Sequence, residues 1–564
     1  MKTLFKNGTV INVFTGELEK QNVLIEDDKI IGVDNYLDCE ADIVKDVTGK
    51  YICPGFIDGH IHVESTMLLP AEFARVAVPR GTTTIVADPH EIANVCGKNG
   101  VRFMLKASEN LPMTVYLMIP SCVPATQFDE SGANLDADDI DEFLGNPRVL
   151  GLGEVMNYPG VIQREKNIME KIDRVLSSGL LINGHAPLLC GKALDRYIAA
   201  GISDDHECSS FKEAAERIRK GQRVMIRQGT AARNLAELLP LFKDPFAQRC
   251  LLVSDDKHPA DLLAHGHIDD IIRQVVKMGE KAVTGIRMAT LWATEYFGLK
   301  HLGAIAPGYT ADLLVLNELN TVQVDSVYKH GKKVAENGIC LPFEEPIIPD
   351  DMKVLICKSF HMESLSSSDF TLKETGMHSC HVIKIIEGQL ITEKEIRKLD
   401  FDKNNGIDIS NDLLKIAVIE RHRNTGHMGL GFIHGIGLTC GAIASSVSHD
   451  SHNLIIIGTD ESDMAFAANR VRELGGGAVF VVDGKVIAEM PLPYAGLMSE
   501  DPASKIAEQN ENLRKSVYAF GVSKKIEPFM TMAFIALSVI PHIKITTTGL
   551  IDVDKQERIP LFWD

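Results

Sequence analysis

Eight short apolar segments between residues 56 and 256 constrain the fold of this 564-residue chain more than any other feature. Each ends in polar residues, and most are followed by helix-like sequence. Near-continuous apolar strands that alternate with helices are typical of parallel sheets. Eight such units predict a (β/α)8 barrel, with a doubly wound sheet as the alternative, because periodicity alone does not separate the two. The segments are FIDGHIH (56–62), TTIVADPH (83–90), TVYLMIP (114–120), VLGLGEV (149–155), LLINGHA (180–186), ISDDHE (202–207), RVMIRQGT (223–230) and CLLVSDD (250–256).

Two β-rich patches flank the apolar segments. The first fifty residues contain TVINVF, QNVLIEDDKIIGVD and KYICPGF, and a patch of similar texture covers residues 306–334. Turn residues separate these pieces, so we expect short strands from both patches to pair. The segment PFEEPIIPDD then reads as a linker. The sequence therefore predicts an α/β protein with three domains: a composite β-sandwich (1–54 with 302–345), a TIM-like barrel (55–301) and a C-terminal α+β domain (346–564).

Chemically active side chains stand at the ends of several predicted strands. His60 and His62 lie two residues apart, so both imidazoles point to one face of a strand. Catalytic groups of (β/α)8 barrels ring the C-terminal mouth. Nitrogen and oxygen donors in this number suffice for two divalent ions with open positions for water. The predicted metal ligands are His60, His62, Glu154, His185, His206 and Asp255.

A purely structural role is the alternative for each of these residues. A single histidine is more often a buried or surface residue than a metal ligand. Six donors at the ends of barrel strands are much harder to explain in that way. We therefore predict a two-metal centre in which the Glu154 carboxylate bridges the ions.

Composition excludes several classes of partner. The chain has 58 Lys and Arg against 77 Asp and Glu, a net charge of −19, which disfavours nucleic acid and anionic membranes. Its eleven cysteines contain no C-x-x-C pair, which argues against a disulfide framework or a thiolate zinc site. The N-terminus does not read as a signal peptide, and no apolar run reaches the roughly 18 residues of a membrane span. These features predict a cytoplasmic protein.

Several motifs resemble the bacterial adenine deaminase family of the amidohydrolase superfamily. In the barrel they are PGFIDGHIHVEST, ADPHEIANVCG, GLGEVMNYPGV, NGHAP, SDDHE and VSDDKHP. Beyond it, GAIASSVSHDSHNLIIIGTDESDMAFA and MPLPYAGLMS resemble the dedicated C-terminal domain of that family. The resemblance extends over nearly the whole chain. It implies an enzyme that converts adenine and water to hypoxanthine and ammonia, with two divalent ions, manganese or iron ahead of zinc, in a homodimer or larger assembly.

The resemblance also implies catalytic roles. Hydroxide generated at the metal centre attacks C6 of adenine. Asp255 accepts the proton of the water and returns it, while Asp256 hydrogen-bonds a ring nitrogen. Glu91 is the expected proton donor to the ring; alternatively, it is only an acid in the first turn of a helix.

The expected contacts to the purine come from His90, Gln228, His449 and His452. The last two belong to the segment SHDSHN. That segment reads as part of the active-site mouth, as a separate metal position, or as a polar turn before the strand NLIIIG.

Two other functions stay open at the level of sequence. A metal centre of this kind also hydrolyses cyclic amides or other nucleobases, and a non-catalytic relative would keep the barrel as a scaffold. Release of ammonia from adenine would distinguish adenine deamination from hydrolysis of a cyclic amide. The presence of all six candidate ligands argues against a non-catalytic scaffold. The other zinc deaminase architecture requires P-C-x-x-C, which this chain lacks.

Overall fold

A computed structural model describes residues 1–35, 40–230 and 232–563 as two compact units. The first comprises Met1–Pro89, Met104–Ser121 and Asp136–Ile347, and the second comprises His90–Phe103, Cys122–Leu135 and Ile348–Asp564. The predicted boundary at residue 346 missed the two short segments that join the second unit. Hydrogen bonds hold these two segments in the second unit. The Gly132 N–H donates to the carbonyl of Asn94 at 2.7 Å, and the side-chain amide of Asn453 donates to the carbonyl of Glu130 at 2.7 Å.

The chain begins with strands of a mixed sheet. Strand β2 pairs antiparallel with β1, and both β4 and β5 run parallel to β1. These strands are β1 Lys2–Ile11, β2 Leu18–Glu26, β3 Lys29–Asp34, β4 Ile43–Asp46 and β5 Tyr51–Pro54.

Eight parallel strands follow, and all but the first residue of one lie within the predicted apolar segments. They are β6 Phe56–Ile61, β7 Thr82–Ala87, β8 Thr114–Ile119, β9 Val149–Val155, β10 Leu181–Gly184, β11 Asp204–Asp205, β12 Arg223–Arg227 and β13 Cys250–Val253. Strands β6 to β10 form one sheet and β11 to β13 another. Ser203 N–H donates to Ile182 and Asp255 N–H donates to His60, each at 3.0 Å, so the two sheets meet at both edges. The eight strands thus follow one another around a closed ring.

Helices separate these strands in sequence. They are α1 Pro70–Ala77, α2 His90–Cys96, α3 Lys98–Ala107, α4 Ala137–Leu144, α5 Tyr158–Gln163, α6 Lys166–Ser177, α7 Gly191–Ala199, α8 Phe211–Arg219, α9 Leu235–Leu238, α10 Pro259–His265, α11 Ile268–Lys277, α12 Ala282–Met288 and α13 Leu291–Phe297. The ring has an apolar core that includes Ile57, Val86, Met118 and Leu251. The apolar residues fill the core of the ring. The polar residues that follow the parallel strands therefore lie together at the C-terminal end of the ring.

The chain then returns to the first sheet through β14 Leu313–Glu318, β15 Gln323–Lys329, β16 Lys332–Glu336 and β17 Ile339–Cys340. Strand β14 pairs antiparallel with β5, so both β-rich patches share one nine-stranded sheet. This single sheet replaces the predicted sandwich, because the β5–β14 bonds join the two sets of strands edge to edge. Phe5, Ile52, Leu313 and Tyr328 belong to its core.

The second unit is built on an eight-stranded sheet of order β19-β18-β21-β20-β23-β22-β24-β25. Its strands are β18 Met377–Ile385, β19 Thr392–Asp400, β20 Leu413–Ile419, β21 Met428–His434, β22 Ala442–Ser445, β23 Leu454–Gly458, β24 Gly477–Val482 and β25 Lys485–Pro491. The unit also contains α14 Asp350–Cys357, α15 Glu461–Leu474, α16 Ala503–Ala519, α17 Pro528–Ile535 and a small sheet of β26 Ile543–Thr546, β27 Gly549–Asp552 and β28 Glu557–Ile559. None of the helices in the described part of the chain combines the length and apolar character of a bilayer crossing.

Candidate metal centre and active site

The ring brings the six predicted metal ligands together in the first unit. They lie in strands β6, β9, β10, β11 and β13 or within two residues after them, and all except the partly exposed His185 are buried. His60, Glu154, His206 and Asp255 present ligand atoms within 4.8 Å of one another. Residues separated by almost two hundred positions therefore converge on one point, as expected for the C-terminal ends of parallel strands.

The Glu154 carboxylate lies between two pairs of histidines. Its Oε1 is 3.1 Å from Nε2 of His60 and 2.8 Å from Nε2 of His62. Its Oε2 is 2.6 Å from Nδ1 of His185 and 3.4 Å from Nε2 of His206. Each oxygen thus serves one pair of imidazoles, which is the arrangement that a carboxylate shared between two cations requires.

Asp255 faces the first pair of histidines. Its Oδ1 is 3.6 Å from Nε2 of His60 and 3.2 Å from Nε2 of His62. The neighbouring Asp256 is held separately, because its Oδ1 accepts a hydrogen bond of 2.5 Å from the Ser65 hydroxyl. Two adjacent carboxylates therefore lie near His62 and have different hydrogen-bond partners.

Strong electrostatic coupling follows from this packing. Burial opposes ionisation of Glu154, but His206 and His62 outweigh it and hold the pKa of the carboxyl well below its usual range. Burial likewise disfavours the charged form of His60, yet the nearby carboxylates of Asp255 and Glu154 raise its pKa to about 10. Imidazole ligates metals only in its neutral form, so a divalent ion entering the site displaces protons.

The donor set fits a divalent metal. Within the part of the chain that the structure describes, His60 Nε2, which faces Glu154 and Asp255, is buried without a hydrogen-bond partner. His62 Nδ1 lies 2.9 Å from the carbonyl oxygen of Asp88, so Nδ1 is the donor and the lone pair of Nε2 faces the centre. A backbone carbonyl on the far ring nitrogen is the usual way in which proteins orient a metal-ligating histidine.

Two buried aspartates that sequence reasoning missed support the ligands. The Asp88 carboxylate accepts the backbone N–H of Glu154 at 2.8 Å, and Gly153 leaves room for it. Asp58 accepts the backbone N–H of His60 at 3.2 Å and the Ser254 hydroxyl at 2.5 Å. Both stand in predicted segments, but only the tertiary structure reveals which amides they hold.

The end of strand β12 departs from expectation. The predicted substrate residue Gln228 donates its amide to Gln274 Oε1 at 2.8 Å and lines a cavity of about 300 Å³ with Lys257 and Asp270. The preceding Arg227 instead reaches the centre, where it contacts Glu207 and Asp255. Successive side chains of a strand point to opposite faces, so only one of the two can face the ligands. The contact of Gln228 with substrate therefore stays a prediction, and Arg227 is the residue of this pair that lies beside the candidate ligands.

The other predicted site residues belong to the second unit. There Glu91, His449 and His452 offer ligand atoms within 4.8 Å of one another, and His90 Nε2 lies 3.9 Å from Asp450 Oδ1. The Ser448 N–H donates to His452 Nδ1 at 3.2 Å, so the neutral ring carries its proton on Nε2, which lies 3.8 Å from Glu91 Oε2. A protonated nitrogen cannot ligate a metal. This group is therefore suited to hydrogen bonding, and the separate metal position considered for SHDSHN is disfavoured.

Two residues absent from the sequence prediction hold the SHDSHN loop. The fully buried Arg421 donates from Nε to the carbonyl of His452 at 2.5 Å and from Nη2 to that of Ala495 at 2.8 Å. His422 Nε2 lies 2.7 Å from the carbonyl of Ser451. Burial lowers the pKa of His422 well below its ordinary value, so its ring is neutral and donates this bond. The run IERHRN carried no local signal for this role beyond its charge.

Family comparisons agree with this arrangement. The profile of the Amidohydrolase family matches residues 51–334, and the profile of the Adenine deaminase C-terminal domain matches residues 389–557. Among solved structures, a dihydropyrimidinase from Brevibacillus agri aligns with 60% of this chain and 96% of its own, at 16% identity and a TM-score of 0.47. A similarity that low identifies no function.

Curated relatives match from end to end. Adenine deaminase of Desulfatibacillum aliphaticivorans is 43% identical over 99% of this chain and 97% of its own length. Adenine deaminase 2 of Carboxydothermus hydrogenoformans is 44% identical over 99% of this chain and 96% of its own. The resemblance found in the motifs is thereby confirmed, and the chain belongs to the adenine deaminase family.

Proposed function

We propose that this protein is a metal-dependent hydrolase that converts adenine and water to hypoxanthine and ammonia. The observation that carries the proposal is the Glu154 carboxylate, whose two oxygens each face a separate pair of histidines. Relatives that carry the name adenine deaminase over almost the full length support the choice of substrate.

Two divalent ions, manganese or iron ahead of zinc, complete the proposal. His60, His62 and Asp255 would hold one ion, His185 and His206 the other, and Glu154 both. Imidazole and carboxylate donors suit all three metals, so availability decides among them. When bound, such ions lower the pKa of water enough to supply hydroxide at neutral pH.

The residues around the centre then move protons. Asp255 is ionised, because the nearby imidazoles of His60 and His62 outweigh its burial and hold its pKa well below the usual range. It can therefore accept the proton of water at Oδ1 and return it to the departing amine. Asp256, fixed by Ser65, is the proposed partner of a ring nitrogen.

Other predicted roles remain predictions. They are the donation of a proton to the ring by Glu91 and the binding of the base by His90, His449 and His452. Gln228 keeps no role in the proposal, since its amide is bonded to Gln274. A homodimer or larger assembly is also expected from the family.

The test is turnover by metal-replete protein. Adenine, adenosine, cytosine and dihydroorotate are incubated separately, and ultraviolet absorbance and ammonia release are followed. We expect ammonia from adenine alone. Turnover of adenosine but not adenine, or ring opening of dihydroorotate without ammonia release, would overturn the substrate assignment, and activity that survives exhaustive chelation would overturn the metal dependence.

A further inference from the structure

The guanidinium of Arg227 joins two carboxylates that belong to different strand ends. Its Nη2 lies 2.9 Å from Glu207 Oε2, and its Nη1 contacts both Glu207 Oε1 and Asp255 Oδ2, the latter at 3.0 Å. Glu207 follows β11, Arg227 ends β12 and Asp255 follows β13. The side chain of Arg227 therefore connects the ends of three neighbouring strands. We call the contacts of Arg227 with Glu207 and Asp255 the brace.

This brace assigns separate tasks to the two oxygens of Asp255. Oδ2 is occupied by Arg227, whereas Oδ1 faces His60 at 3.6 Å and His62 at 3.2 Å. Without the guanidinium, the plane of the Asp255 carboxylate could rotate over a wide range at low cost, because terminal carboxylate torsions are broad. Arg227 thus fixes the plane of the carboxylate, so that one oxygen is held toward the histidines.

Glu207 extends the brace to the other pair of ligands. Its Oε1 is 3.6 Å from His185 Nδ1 and 3.5 Å from His206 Nε2. All these side chains are largely enclosed, with 14% of Arg227 and 11% of Glu207 exposed. An enclosed bidentate pair keeps its geometry better than a solvated one, since few alternative partners are within reach.

We propose that Arg227 is a positioning residue for the deamination reaction, which orients Asp255 directly and the His185–His206 pair through Glu207. The expected effect on the rate of deamination rests on the proposed function. The orientation of Asp255, His185 and His206 by Arg227 does not depend on it. Arginine is required because its planar fork reaches two carboxylates at once, whereas the lysine ammonium is a point charge on a flexible stem.

The kinetic test compares Arg227→Lys and Glu207→Gln with the unaltered enzyme. A misplacement of about 1 Å in a catalytic group costs about 10²-fold in rate. We expect each variant to lose about that factor in kcat with little change in KM. The double variant should lose no more than the worse single variant, because both substitutions break the same brace. Fully additive losses, or a Lys variant with normal kcat, would overturn the proposal.

Chemical rescue separates positioning from a general loss of structure. Arg227→Ala should regain activity when guanidinium chloride is added at concentrations far below those that unfold proteins. Ammonium chloride at equal ionic strength should give no recovery. The matched control is Arg223→Lys, at the opposite end of the same strand, where the guanidinium bonds only the Gln248 carbonyl among the described residues. Failure of rescue in a variant that is folded and metal-loaded would overturn the proposal.

A measurement that does not depend on turnover tests the positioning role of Arg227 separately from the proposed deaminase function. Cobalt(II) is used in place of the native ion, because its visible spectrum is sensitive to the geometry of the groups that coordinate it, among which Asp255 is proposed. We expect Arg227→Lys to change this spectrum at unchanged metal content, and Arg223→Lys to leave it as it is. If the unaltered protein fails to deaminate adenine, the proposed function is wrong, and the spectrum still tests the positioning role of Arg227. If Arg227→Lys leaves the spectrum unchanged, the positioning role is wrong.

Discussion

The two oxygens of Asp255 have different partners, and this difference makes the residue a sharp test of the chemistry. Oδ1 lies 3.2 Å from His62 Nε2, and Oδ2 accepts a bond of 3.0 Å from Arg227. Asparagine keeps the size of the side chain but cannot accept a proton from water. We expect Asp255→Asn to lower kcat for adenine by about 10²- to 10⁴-fold, the usual contribution of a general base, with the circular dichroism spectrum unchanged.

The matched control is Asp195→Asn. This aspartate is 59% exposed and pairs with Lys220 at 2.7 Å, so its loss should leave turnover unchanged. Metal content is measured for both variants, because a drop in bound metal would account for lost activity without a proton-transfer role. Near-normal turnover by metal-loaded Asp255→Asn would exclude the residue as the base.

Lys544 is a buried amine that makes stability depend on pH. It is fully buried on β26, donates to Leu390 O at 2.9 Å, and burial lowers its pKa to about 7. In the unfolded chain the same amine titrates near pH 10.4. Between about pH 7 and 10 this amine binds more protons in the unfolded state, so the contribution of Lys544 to the free energy of unfolding rises with pH across this window.

Replacing Lys544 with methionine should abolish this rise. We expect the free energy of unfolding gained by Lys544→Met to be larger near pH 7 than near pH 9, by about 2 kcal/mol. Urea denaturation at the two pH values measures the difference. Lys555→Met, at an exposed position of the same unit, is the control. An identical pH dependence in the unaltered protein and in Lys544→Met would contradict the assignment.

The convergence of the six candidate metal ligands was predictable from sequence, whereas the residues that support them were not. His60 and His62 share a strand face by the two-residue period, and the ends of parallel strands meet at one mouth. Glu207 and Asp88 offered no comparable signal, because their partners are set by pairing across the ring. The position of Arg227 beside Asp255 was not predictable for a related reason: the pattern placed Arg227 and Gln228 at the strand end but did not tell which of the two faces the candidate ligands.

At the scale of elements, strand β9 illustrates how backbone packing sets the site. A Cβ on Gly153 would lie 2.0 Å from Asp88 Oδ2, the oxygen that accepts the Glu154 N–H. We expect Gly153→Ala to displace this carboxylate and shift Glu154, lowering bound metal and reducing kcat/KM by about 10²-fold. Elemental analysis and adenine turnover provide the measurements.

Gly145→Ala is the control for this substitution. Gly145 ends helix α4 with φ −87°, and a Cβ there would meet nothing within 4 Å. The added methyl group should therefore leave metal content and activity unchanged. If Gly153→Ala bound metal as the unaltered protein does, the close approach of Asp88 would not be needed for the site.

The elements themselves were largely readable from the sequence. All eight ring strands fall on the apolar segments, since strands buried on both faces have near-continuous apolar sequence. The assignment of 90–103 and 122–135 to the second unit was not readable. Their local pattern is that of ordinary connections, and the bonds that retain them, such as Asn453 to Glu130, span more than three hundred residues.

At the scale of the whole molecule, metal binding links activity, stability and pH. In the metal-free protein, His60 and His185 have pKa values raised to about 10 and about 9, chiefly because nearby carboxylates outweigh the effect of burial. A raised histidine pKa stabilises the fold fully below about pH 6.5, and this contribution is lost as pH rises towards 9–10. Metal binding requires the neutral imidazoles, so its affinity changes in the opposite direction.

The stability of the first unit should therefore respond to metal in a pH-dependent manner. Chelated protein is expected to lose stability between about pH 7 and 9, while the gain on adding manganese grows over the same interval, because fewer protons must be released. Hydrogen exchange with mass spectrometry localises the effect. Added metal should protect residues 56–62, 149–155 and 180–207, and residues 477–491 of the second unit should exchange as before. A gain that shrinks as pH rises, or equal protection of both regions, would show that the imidazoles at the ring mouth do not bind the ion.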